Sequence, residues 1–157
     1  MDGQIEARVV PEVCGQCGTS GHASFGEHVG DWPGGESQWR SFRCLECGAA
    51  YELDGIGPLP EDLRRAELEF GGTWVITIES LEPGALNRIR AAMGLTITEL
   101  ATAKTNKGPA FSGTRAEARR VELELRSRGV ELCVKQRTAD AEAIFDIAVL
   151  WQRLLDL

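Results

Sequence analysis

Cys14-Gly15-Gln16-Cys17-Gly18 and Cys44-Leu45-Glu46-Cys47-Gly48 decide how the front of this chain is read. Two intervening residues let both sulfurs of a pair reach one metal ion, and the glycines allow the tight turn without a Cβ clash. Four thiolates at about 2.3 Å from one ion make a closed tetrahedral site with no position left for water. That chemistry points to a structural zinc on Cys14, Cys17, Cys44 and Cys47, and away from catalysis. Such a site contributes on the order of 10 kcal/mol to the folding of a small lobe. A redox dithiol and a thiolate-bound iron share the spacing and stay open as rivals.

The stretch from Gly18 to Gly48 is rich in Gly, Ser and aromatic residues, with a turn at Asp31-Trp32-Pro33-Gly34-Gly35. Ala23–Val29 and Gln38–Cys44 flank that turn and are expected to form a hairpin. Phe25, Trp39, Phe42 and Tyr51 are expected to cover the metal. Ile5 to Val13 reads as a strand leading into the first pair. His22 and His28 read as ordinary hairpin histidines, because four cysteines already complete the site. The fifth cysteine, Cys133, reads as a packed thiol with no base in an evident pairing position.

The chain has 157 residues and a net charge of −7, distributed unevenly. Residues 1–72 carry −8, residues 73–137 carry +4 and residues 138–157 carry −3. An acidic front repels phosphate, while the middle segment tolerates it. There is no apolar run of about 18 residues to span a membrane. The first residues lack the basic and apolar regions of a signal peptide. Reduced thiols and a cytoplasmic location follow as expectations.

Pro58-Leu59-Pro60 opens a short helix that Gly71-Gly72 closes, and the domain boundary is placed there. Beyond it the pattern changes. Trp74–Ile78 is a strand by its β-branched and aromatic content, and Pro83 to Met93 is a helix stopped by Gly94. Thr96–Glu99 and Thr114–Glu117 are capping boxes, each opening a helix. Ala110-Phe111 and Val130–Lys135 read as strands, so residues 73–137 run β-α-α-β-α-β. The last 20 residues read as one helix, whose apolar surface is wider than a single buried face needs. It is expected to pack on its own sheet, to make a homodimer or to bind a partner.

The two cysteine motifs resemble a zinc ribbon, and also the bacterial double-CXXCG motif family, some of whose members are associated with immunity against toxins from neighbouring cells. Residues 74–135 resemble the C-terminal domain of the bacterial ribosomal stalk protein, which shares its architecture with the Clp-protease adaptor. The matching residues are Leu86, Ile89, Arg90, Gly94-Leu95, Ile97 and Glu99, then Ala118, Val121, Leu125, Gly129-Val130, Leu132 and Val134-Lys135. The resemblance implies a compact domain that holds protein partners. Asn87 and Ala101 stand where the stalk family carries lysines that bind translation GTPases, which argues against that particular partner.

The expected protein is α+β: a zinc ribbon at 1–57, a linking helix and Gly hinge at 58–72, a stalk-like domain at 73–137 and a C-terminal helix at 138–157. It is expected to be a non-enzymatic interaction module or adaptor with structural zinc and a protein partner. A toxin-neutralising immunity protein is one alternative. Nucleic-acid binding through the basic third helix of the second domain is the other. The basic residues are Lys104, Lys107, Arg115, Arg119, Arg120, Arg126 and Arg128. Arg90, Arg115, Arg119, Arg120 and Trp151 are the candidate partner-binding residues.

Overall fold

The computed structural model describes residues 8–30, 36–105, 108–137 and 145–156. The protein is α+β and divides into two compact units, Met1–Phe70 and Gly71–Leu157. The expected turn at 31–35 and the strand residues 5–7 lie outside the described residues.

In the first unit, β1 (Arg8–Val13), β2 (Ser20–Val29), β3 (Glu36–Arg43) and β4 (Ala50–Ile56) form an antiparallel meander in chain order, followed by α1 (Glu61–Gly71). Strand side chains alternate between faces, so the register sorts the residues. Ala23, Phe42 and Tyr51 are cross-strand partners, as are Phe25, Arg40 and Leu53, all on one face. Val10, Ala23, Phe25 and Phe42 on that face form one core with Leu59, Leu63 and Ala66. The helix read as a linker therefore covers the ribbon sheet. The physical reason is that a sheet with one apolar face must bury it against another layer. Trp39 has the opposite parity: its partners are Gly26 and Asp54, so it sits on the face away from α1 and not over the cysteines.

Charges also tie α1 down. Arg40 lies on the core side, pairs with Glu12, and reaches Asp62 at 3.6 Å, while Arg8 meets Glu67 at 3.4 Å. Burial by itself would lower the Arg40 pKa, but the Glu12 carboxylate outweighs it and the pKa rises.

In the second unit the order is β5 (Trp74–Ile78), α2 (Pro83–Met93), α3 (Ile97–Thr105), β6 (Ala110–Gly113), α4 (Arg115–Ser127), β7 (Leu132–Gln136), β8 (Phe145–Asp146) and α5 (Ile147–Leu155). Through β7 this is the expected β-α-α-β-α-β. The sheet order is β7-β5-β6-β8, with β5 antiparallel to both neighbours and β8 parallel to β6. Residues 138–144, expected as helix, lie outside the described residues, and Phe145–Asp146 are strand. The helix starts only at Ile147 because the Asp146 carboxylate accepts the N–H groups of Ala148 (2.9 Å) and Val149 (3.3 Å), a strong N-cap. Ile147 and Leu150 then enter the core beside Ile76, Ile89, Met93, Phe111, Val121 and Leu125.

Both capping boxes form. Thr114 and Glu117 satisfy each other's backbone N–H groups at the buried start of α4. At α3 the Thr96 N–H donates to Glu99 at 2.9 Å, and Arg153 of α5 reaches the same carboxylate at 2.7 Å. The Thr96 N–H and then Arg153 hold the Glu99 pKa below the ordinary carboxylate value. A depressed folded pKa gives stability that is present above the unfolded value of about 4.3 and is lost as pH falls through the lower folded value. Glu99→Gln is therefore expected to destabilise the second unit by about 1 kcal/mol or less at neutral pH, given partial exposure. The difference from the parent protein should shrink as pH falls through that lowered folded value and vanish in melts taken below it. A difference that persists there would show that packing, and not charge, is involved.

Candidate metal centre

The register Val13↔Ser20 and Arg43↔Ala50 places each cysteine pair in the connection of a hairpin, β1–β2 and β3–β4. The two turns are built alike. The N–H of Cys14 donates to Thr19 O (2.9 Å) and that of Gly18 to Cys14 O (2.9 Å). In the second turn Cys44 donates to Ala49 O (2.8 Å) and Gly48 to Cys44 O (3.1 Å). Gly18 and Gly48 stand at φ 73° and 75°, with open space where a Cβ would lie, so backbone handedness and not room demands glycine there.

The four sulfurs converge within 4.8 Å of one another. Cys14 and Cys47 are 3.6 Å apart, as are Cys17 and Cys44. A disulfide needs about 2.0 Å, which excludes a formed bond. A tetrahedron with arms of about 2.3 Å has edges of about 3.8 Å, close to the observed spacing. The donor set thus fits one tetrahedral ion. Cys14 and Cys44 are buried, 2% and 4% exposed, while Cys17 and Cys47 face solvent. Phe25 and Phe42 share the core with the two buried cysteines, and Tyr51 packs against it.

The four thiols also differ in how readily each gives up its proton. The Thr19 hydroxyl and then its backbone N–H lower Cys17 to about 6. The Cys17 and Gln16 N–H groups lower Cys14. At Cys47 the Ala49 N–H acts downward, but the neighbouring thiols of Cys14 and Cys17 outweigh it and push it up to about 12. Early thiolates form readily and the last is resisted, a frustration that a divalent ion relieves.

The candidate partner-binding residues are less free than their sequence suggests. Arg115 lies over the Trp74 ring at 5.5 Å and Arg120 over Trp151 at 4.3 Å. Arg119 and Arg126 both pair with Glu122, at 2.9 and 3.0 Å, and Arg128 with Glu124 at 2.6 Å. Arg90 is exposed on α2, outside this group, and Lys107 lies outside the described residues. Sequence reasoning missed that Glu122 and Glu124 sit one helical turn from these arginines, although the spacing was legible.

Among the described residues no helix is long and apolar enough to cross a membrane. Compared with protein-family models, with curated proteins and with solved structures, the chain matches none. Fold and site together define an α+β protein with a ribbon-like four-cysteine centre.

Proposed function

We propose that the chain is a non-enzymatic adaptor of a reducing, cytoplasmic compartment, with one structural zinc that closes its first unit and surfaces that hold a protein partner. The convergence of four protein sulfurs carries this reading, because an all-thiolate tetrahedral set suits zinc and leaves no coordination position for a substrate. When bound, the ion supplies cross-linking and charge neutralisation. Cys14 and Cys44 hold it from the core side, and Cys17 and Cys47 from the solvent side. The pairing of α4 cations with that helix's own carboxylates favours a protein partner over nucleic acid, since arginines already paired release few phosphate counterions.

Elemental analysis of purified protein is expected to give one zinc per chain, without the visible absorption of iron–thiolate. Affinity capture with the loaded chain should recover a stable protein partner. Iron in place of zinc would overturn the metal assignment, and turnover of a substrate or tight, salt-steep RNA or DNA binding would overturn the adaptor.

A further inference from the structure

β4 hydrogen-bonds to β3 alone, so its outer edge carries backbone donors and acceptors that no described strand uses. The opposite edge of the sheet, β1, is interrupted by Pro11, which has no N–H to offer and blunts that side. β4 has neither proline nor lysine, the usual protections of an edge. Its side chains are open as well. Leu53 is 59% and Ile56 89% exposed, and Glu52 and Asp54 are exposed beside them. Neither carboxylate has a partner among the described residues.

Charge says what fits there. The register sets Glu52 beside Ser41 and Asp54 beside Trp39 on the face away from α1. Ser37, Gln38, Trp39, Asp54, Gly55 and Ile56 line a shallow depression at this end. We infer that β4 is a docking edge for an extended basic segment of a partner protein, which adds to the sheet as a further strand. Side chains of an added strand alternate between faces, and those opposite Glu52 and Asp54 must be cationic, because like charges directly opposite destabilise a pair. The intervening residues meet Leu53 and are apolar. The net charge of −8 over residues 1–72 draws a cationic partner in. A second copy of this chain fits poorly: antiparallel pairing centred on Leu53 sets Glu52 of one chain against Asp54 of the other.

This inference rests on the adaptor reading and names the chemistry of its partner. The test is a fluorescence anisotropy titration of the zinc-loaded full chain with a labelled peptide of alternating lysine and valine. Saturable binding is expected, weakened at least about tenfold by Glu52→Lys with Asp54→Lys and unchanged by Arg119→Glu with Arg120→Glu. Circular dichroism and metal content check that both variants are folded. Three results would each overturn the docking edge: no saturable binding, equal affinity for the Glu52/Asp54 variant, or equal binding of a peptide whose lysines are clustered at one end. Capture of the same lysate protein by the parent and by the Glu52/Asp54 variant would remove the docking edge and leave the adaptor standing. Peptide binding with no captured partner would do the reverse.

Discussion

Cys44→Ser is expected to abolish stoichiometric metal binding and unfold the first unit. Cys44 is buried in the core with Phe25, Phe42 and Leu63, and its sulfur is 3.6 Å from that of Cys17. A hydroxyl there is a poor ligand for a soft site, and three thiolates hold the ion much less well. Because few ligands are in place before folding, the lost binding free energy is lost folding free energy, on the order of 10 kcal/mol for a small zinc-dependent lobe. A core of this size cannot supply that from packing. Far-ultraviolet circular dichroism should lose the signal of β1–β4, while the second unit, with its own core, keeps its thermal transition. Chelation of the parent protein should reproduce the result. One metal ion per chain in folded Cys44→Ser would refute the four-cysteine assignment.

Phe111→Ala is expected to cost the second unit about 3–5 kcal/mol, the usual range for removing a fully buried ring. Phe111 is 0% exposed on β6, opposite Ile76 of β5 and Phe145 of β8. Its ring stacks on Phe145 at 5.8 Å between centroids. Its loss opens a cavity where the sheet meets α5 and weakens the short parallel pairing that positions Asp146 to cap that helix. Denaturant unfolding should show a lower midpoint for the second unit with metal content unchanged. A loss below about 1 kcal/mol would mean that the neighbouring side chains close the cavity.

The two effects separate because the units have separate cores, and each was legible to a different degree. The four-cysteine cluster, both capping boxes and the strand at Trp74–Ile78 were readable directly. A Cys-x-x-Cys spacing, a Thr with Glu three residues on, and a β-branched run each state a local requirement. The role of α1 was not readable, since an amphipathic stripe at Leu63 and Ala66 says that a face is buried without saying against what. The side of the sheet on which Trp39 falls depends on register with β2 and β4. β8 escaped because Phe145 continues an apolar pattern that also suits a helix, and only β6 alongside selects the strand.

The sequence by itself determined which four cysteines converge, the α+β class and the order of elements in the second unit, because cysteine spacing, caps and side-chain period act over a few residues. Tertiary structure alone decided that α1 covers the ribbon sheet, that Arg115 and Arg120 rest on tryptophans, and that no described strand pairs with the outer edge of β4. Those outcomes depend on which distant surfaces meet. The gain from burying one face against another belongs to the pair and is written in neither segment alone.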